Sequence, residues 1–211
     1  EKRHVWESSV YDAMQKEAFY FVGHRICIRE ATDSFGALVW PGALALCHYL
    51  ENNQQQVNLM DKAVLEIGAG TGLLSVVVSL LAWVTATDLP DILPNLSFNL
   101  IRNTQGRSRH TPQVKALTWG RHHPRDFPQS TRRYDYVLAA DVVYPHGDLD
   151  GLLDTMCHFC PPGGDTTLLW ANKRFQSDMR FTERFQRTFH ATLLAEFPQQ
   201  EVRIYKATAK E

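Results

Sequence analysis

From residue 63 onward, short apolar runs alternate with longer segments whose apolar positions recur at helical spacing. This pattern predicts strands at 63–67, 83–87, 113–117, 134–140 and 166–171, and helices at 73–82, 92–103, 147–159 and 175–188. The runs are near-continuously apolar rather than alternating, as expected of parallel strands covered on both faces. The tail differs, because 192–197 and 202–206 flank a polar break at Pro198-Gln199-Gln200 and read as an antiparallel pair closing one sheet edge.

Ahead of the alternation, Phe19-Tyr20-Phe21-Val22 and Ile26-Cys27-Ile28 flank Gly23-His24-Arg25 and predict a hairpin outside the main sheet. Residues 1–17 read as a polar arm with scattered aromatics. Pro41 suits the first turn of a helix ending near Asn53, with Leu44, Leu46, Cys47 and Leu50 on its apolar side. With no repeat or low-complexity linker, the expectation is one domain over 1–211: arm and hairpin at 1–35, core at 36–211.

The stretch Val64-Leu65-Glu66-Ile67-Gly68-Ala69-Gly70-Thr71-Gly72-Leu73 runs from strand through a glycine turn into a helix. Glycines at alternate positions let a ligand approach the main chain. Asp88 ends the next apolar run, where a carboxylate can take both hydroxyls of a ribose. A dinucleotide fingerprint would need its third glycine at Leu73, so the pattern here is E-x-G-x-G-x-G instead. Glu66 would repel a pyrophosphate and suits a ligand carrying an amino group and a sulfonium.

Two further clusters fall at strand ends. Trp119-Gly120 follows 113–117, and its indole either stacks on adenine or fills the core. Asp141-Val142-Val143-Tyr144 follows an apolar strand that ends in Ala139-Ala140. There Asp141 and Tyr144 either face the transferable group or serve as a helix cap and a packing residue. Val39-Trp40-Pro41, by itself, reads as a staple at a helix start.

Composition narrows the classes. A net charge of −1 supplies no basic field for nucleic acid or an anionic membrane. No apolar run reaches membrane-spanning length and Glu1-Lys2-Arg3-His4 opens no signal peptide, so a soluble domain of the cytoplasm, or of the nucleus as well, is expected. Cys157-His158-Phe159-Cys160 has no second ligand pair and lies near a helix end, so structural cysteines and no metal are expected.

With these motifs placed, the chain resembles the family-16 protein methyltransferases, specifically the methyltransferase-like 21 group of protein-lysine methyltransferases, and most nearly its muscle-associated C and E branch. The carrying pieces are 21–30, Val39-Trp40-Pro41-Gly42-Ala43, the glycine turn, Thr85-Ala86-Thr87-Asp88-Leu89-Pro90, Trp119-Gly120 and Ala139-Ala140-Asp141-Val142-Val143-Tyr144. One departure is Leu81-Ala82-Trp83, where a glycine usually precedes the second strand. The resemblance implies a seven-stranded, Rossmann-like class I α/β fold binding S-adenosylmethionine and releasing S-adenosylhomocysteine. It implies cofactor contacts from Trp40, Gly68, Ala69, Gly70, Asp88, Trp119 and Ala139, with Glu66, Gly72 and Leu89 counted beside them. It also implies lysines of folded proteins, chaperones and AAA ATPases among them, as substrates.

Asp141 is then expected to capture the incoming ammonium while Tyr144 lines the slot. Competing readings are nucleic-acid methylation, small-molecule methylation and a non-catalytic cofactor-binding module. The first expects prolines between Asp141 and Tyr144, where valines stand.

Overall fold

The computed structural model describes residues 14–31, 38–120, 123–127, 133–144, 147–173 and 178–211. The parallel strands fall where the apolar runs placed them: β3 (Ala63–Ile67), β4 (Trp83–Asp88), β5 (Gln113–Ala116), β6 (Tyr136–Ala140) and β7 (Thr167–Lys173). They pair in the order β5-β4-β3-β6-β7, and β9 (Val202–Ala209) and β8 (Phe189–Phe197) extend the sheet antiparallel to seven strands. Strand order reverses between β3 and β6, which pair in parallel from Val64↔Tyr136 to Ile67↔Ala139. In such sheets the crevice at that reversal, outside the carboxyl ends, takes the ligand.

Two apolar layers cover the sheet because alternate residues of each strand face opposite sides. Val64, Leu138 and Leu169 lie against α1 (Pro41–Asn52), α2 (Leu73–Ser79) and α3 (Leu93–Thr104). Leu65, Val137 and Leu168 lie against α5 (Leu149–Phe159) and α6 (Met179–Thr188). A short α4 (His123–Asp126) precedes β6.

Some boundaries differ from expectation. Helix α2 stops at Ser79, not at 82, because Leu80 and Leu81 donate to the carbonyls of Val77 and Val78 and tighten the last turn. Helix α6 starts at Met179, where the Asp178 carboxylate accepts the Phe181 amide; the expected start at 175 falls outside the described residues. Of the expected arm, 1–13 lie outside them too, and 14–17 belong to the hairpin instead.

That hairpin, β1 (Met14–Phe21) and β2 (His24–Ala31), forms a sheet of its own, as expected, and is longer than its apolar residues alone suggested. Its turn places Val22 and Gly23 both at positive φ, 49° and 73°, the two-residue turn whose twist matches paired strands. Val22 is β-branched and poorly suited to that conformation, but its amide is held by the Glu51 carboxylate of α1.

The hairpin is tied to the core by a row of asparagines four residues apart on α3. Asn99 accepts the Arg29 amide at 2.9 Å and donates to its carbonyl at 3.0 Å, and Asn103 does the same for Cys27. Asn95 donates to the Arg29 carbonyl and accepts from the Arg29 guanidinium. Side-chain amides thus stand where a neighbouring strand's peptides would. Asn99 also donates to the Thr71 carbonyl inside the glycine turn at 2.8 Å.

Candidate functional site

The glycine turn lies at the carboxyl end of β3, with Gly68, Gly70 and Gly72 at φ of 65°, 59° and 92°, values that side chains rarely tolerate. The three glycines do different work. A β-carbon on Gly68 would stand 3.0 Å from Val142 and 3.8 Å from the Trp119 indole, so its absence keeps a cradle open between strand end and ring. Gly70 donates its amide to the Asp88 carboxylate at 2.8 Å. Gly72 is buried, and a β-carbon there would meet Leu96 at 2.8 Å. Its small size serves the packing of α2 on α3.

Asp88 ends β4 and also accepts the Leu89 amide at 2.7 Å. Burial raises its carboxyl above the usual range against those two amide bonds. Ala69 extends the register by donating to the Thr87 carbonyl at 2.9 Å. Leu89 is 47% exposed beside this edge.

Trp119 is half-buried at the end of β5. It is held through Gly120, at φ 75°, whose amide donates to Thr155 Oγ1 at 3.0 Å and whose β-carbon position would be 2.9 Å from Gly151 Cα. This glycine-to-glycine contact lets the chain after β5 sit directly on α5, which aims the indole along the crevice. The Tyr144 ring lies 6.3 Å from the Trp119 ring. Partial burial and the nearby Asp88 charge raise the Tyr144 phenol. Gly68, Asp88, Trp119 and Tyr144 therefore share one crevice.

Asp141, at φ 57°, donates its amide to Ala171 and turns its carboxylate away from β6. Oδ1 accepts the Gly42 amide at 3.1 Å and Oδ2 the Ala43 amide at 2.9 Å. These are N–H groups of the first turn of α1, whose N-cap residue is Trp40. An indole cannot accept a hydrogen bond, so a carboxylate from a distant strand caps the helix in its place. The capping role weighed for Asp141 is real, but the helix is α1 and not the one that follows. Burial pushes the carboxyl up to about 6 against those two bonds and the Lys173 charge, which leaves it ionised near neutral pH.

Glu66 and Ala139 lie deeper than expected. Glu66 is 2% exposed under the turn and accepts from Ser75 Oγ at 3.0 Å; burial pushes it up to about 8. Burial there favours the neutral form of the carboxyl. Ala139 is fully buried against α5 and offers no surface to the crevice. Both are enclosed because β3 and β6 are covered on both sides of the sheet near their carboxyl ends.

Several positioning residues escaped the sequence reading. Glu30 of β2 accepts the Val39 amide at 2.9 Å and so holds the segment leading to Trp40. Asn172 of β7 pairs with the amide and carbonyl of Val143, fixing the chain just before Tyr144. An isolated amide or acid inside an apolar run is the only signal such residues leave.

A family profile described as "Lysine methyltransferase" matches residues 23–188. The chain belongs to this lysine methyltransferase family. The protein-lysine methyltransferase METTL21E of Bos taurus is 50% identical over 92% of the chain and 67% of its own length. EEF1A lysine methyltransferase 3 of Xenopus tropicalis is 36% identical over 93% and 87%. Among solved structures, the Thermus thermophilus 16S rRNA N2 G1207 methyltransferase with AdoMet and guanosine superposes with a TM-score of 0.65 at 17% identity, covering 94% of this chain and 51% of that one. The magnesium protoporphyrin IX methyltransferase of Synechocystis with bound SAH gives 0.57 at 13% over 80% and 83%. At such identities these two show the class I methyltransferase fold alone.

The family's cofactor is S-adenosylmethionine, and the crevice fits it: an acid for ribose hydroxyls at Asp88, an aromatic wall at Trp119, and a cradle that a β-carbon on Gly68 would fill. No group of His, Cys, Asp or Glu among the described residues could hold a metal, and none of their helices is long and apolar enough to cross a membrane. A cavity of about 390 Å³ near Tyr134 and Asp135 lies at the other end of the strands, away from the face where open α/β sheets bind ligands.

Proposed function

We propose that this chain methylates lysine side chains of folded proteins, a chaperone or an AAA ATPase being the substrate class, and that it works in the cytoplasm or nucleus. The observation that carries the reading is the Asp141 carboxylate, held at the end of β6 by two amides of α1, three residues before Tyr144 in the cofactor crevice. A carboxylate has about four acceptor positions, and two amides of α1 occupy only half of them. The rest suit an incoming ammonium.

A lysine must lose its proton before it can act, which costs about 4 kcal/mol near pH 7.4 from a pKa of about 10.4. Entry into a desolvated slot lowers that pKa. Asp141 orients the amine and Tyr144 lines its path, so the chain's contribution is alignment rather than strong base catalysis. S-adenosylmethionine, when bound, supplies an activated methyl and its own leaving group. Relatives named for protein-lysine methylation support a protein substrate.

The test is incubation with methyl-labelled cofactor and a cell lysate, followed by mapping of the label. Labelled lysine in a discrete protein supports the reading. Label confined to nucleic acid, or absent although the cofactor binds by calorimetry, overturns it.

A further inference from the structure

The outer face of the hairpin and the solvent side of α3 together carry a strip of arginines. In β2 the alternate residues Ile26, Ile28 and Glu30 are buried, so Arg25 and Arg29 point the other way. Register sets Tyr20 of β1, 70% exposed, across from Arg25 on that same face. Arg107 continues the row of asparagines four residues apart, and its guanidinium donates to the Arg25 carbonyl at 2.6 Å. Phe98, Ile101 and Arg102 stand on the solvent side of the helix.

The Arg29 guanidinium lies 3.7 Å from the centre of the Phe98 ring, and that of Arg102 lies 5.9 Å from it. Stacking on the ring and the Nε–H bond to Asn95 hold Arg29 in place. Among the described residues, none of Arg25, Arg29, Arg102 and Arg107 pairs with a carboxylate; the ion pairs there involve other cations. Residues 92–110 contain no acid. Glu17 stands opposite Ile28, on the hairpin's other face, and Asp91 precedes α3 without engaging any of the four. The excess is local, and a net charge of −1 for the whole chain conceals it.

Guanidiniums held side by side attract an anionic partner, and each can give a carboxylate two parallel N–H bonds. Arg25 and Arg29 are four residues apart on β2, a span of about 13 Å at about 3.3 Å per residue. Four or five residues of extended chain cover that distance. Ile101, 55% exposed, adds an apolar contact that a peptide side chain can use. A single-stranded nucleic acid would need aromatic faces for its bases, and Arg29 already covers that of Phe98. The strip begins beside the cofactor turn, because Asn99, which grips Arg29, also holds Thr71.

We propose that this strip docks an acidic, extended segment of the protein substrate, apart from the lysine that is methylated. The inference rests on the protein-lysine reading above and adds a rule of substrate choice, since complementary charge selects partners and speeds their encounter.

The probe is a capped octapeptide alternating glutamate and leucine, matched by its glutamine version and by a thymidine pentanucleotide of equal charge. Binding is read from the Ile101 methyl resonances, assigned with Ile101→Val. The glutamate peptide should shift them and bind about ten-fold more tightly than its glutamine match. The double variant Arg25→Glu, Arg102→Glu should abolish the preference; the neutral pair Arg25→Gln, Arg102→Gln replaces it if reversal lowers the melting temperature. No shift, equal response to glutamate and glutamine, or tighter binding of the pentanucleotide overturns the inference. Methyl transfer is measured in parallel on the protein that wild type labels in lysate. The double variant should raise KM about ten-fold and leave kcat within about two-fold. An unchanged KM sinks the docking role and leaves the lysine reading intact. Failure of wild type to label any lysine sinks the lysine reading, and the substrate assigned to the strip falls with it.

Discussion

A β-carbon added to Gly42 would stand 2.5 Å from Oδ1 of Asp141, although the two residues are 99 positions apart in the chain. Gly42 lies within the first turn of α1, where helix propensity alone favours alanine by about 1 kcal/mol. The contact reverses that preference, since the methyl expels the carboxylate and uncaps the helix at a cost of about 0.5–2 kcal/mol plus strain. Gly42→Ala should therefore melt at a lower temperature than wild type and transfer methyl more slowly. A melting temperature raised by the substitution would show that the carboxylate is not held there.

Asp141→Asn keeps the shape but offers one acceptor oxygen to two amides. Stability should fall by about 1 kcal/mol, one hydrogen bond's worth. Loss of the charge that attracts an ammonium should slow transfer about thirty- to a hundred-fold, equivalent to roughly 2–3 kcal/mol. Cofactor affinity by calorimetry should stay within a few-fold. If Asp141 only caps α1, the rate per folded molecule will be unchanged.

Asp88→Ala should weaken S-adenosylmethionine binding by about 1–3 kcal/mol, the range for hydrogen bonds to a charged group. NAD should not bind either protein. Calorimetry that finds equal affinity for wild type and variant would remove Asp88 from the site.

Trp119 is only half-buried, so Trp119→Ala should lower cofactor affinity more than it lowers the melting temperature. The opposite pattern, a severe loss of stability with affinity per folded molecule preserved, would assign the indole to the core.

Glu66 gives a pH signature. Its carboxyl has an ordinary value of 4.5 and is pushed up to about 8 by burial in the folded chain. Below 4.5 it is neutral in both states and exacts no penalty. Between 4.5 and 8 the unfolded chain ionises while the folded chain keeps its proton, so stability falls as pH rises. Above 8 the full penalty persists. Glu66→Gln should lose this slope, gaining on wild type in melting temperature between pH 5 and pH 8 when measured without cofactor. Parallel curves for the two proteins would contradict a buried neutral acid.

The parallel strands were legible because each is a short apolar run with breakers beside it, and the order of strands and helices then dictated the sheet. Asp88, Trp119 and Tyr144 were legible for a related reason, since carboxyl ends of neighbouring strands must converge at the reversal of strand order. What escaped was partnership at long range. The capping capacity of Asp141 could be read locally, whereas its partner helix could not, because nothing near residue 141 points to residue 42. Depth was also hidden: Glu66 is a charged residue in an apolar run, and only the covering helix α2 with Ser75 shows that it is enclosed. The packing of Gly72 on Leu96 was hidden as well, because a glycine that admits a ligand and one that admits a neighbouring helix leave the same letter.

The asparagine row on α3 makes the hairpin edge, the helix and the glycine turn a single opening unit. The amides of Cys27 and Arg29 end on Asn103 and Asn99, and Asn99 also holds Thr71. None of these three parts can open to solvent without breaking bonds of the others, so their backbone deuterium exchange should share one rate instead of three. A ligand seated on the glycine turn then slows exchange in a hairpin it never touches, because the closed state it stabilises is common to both.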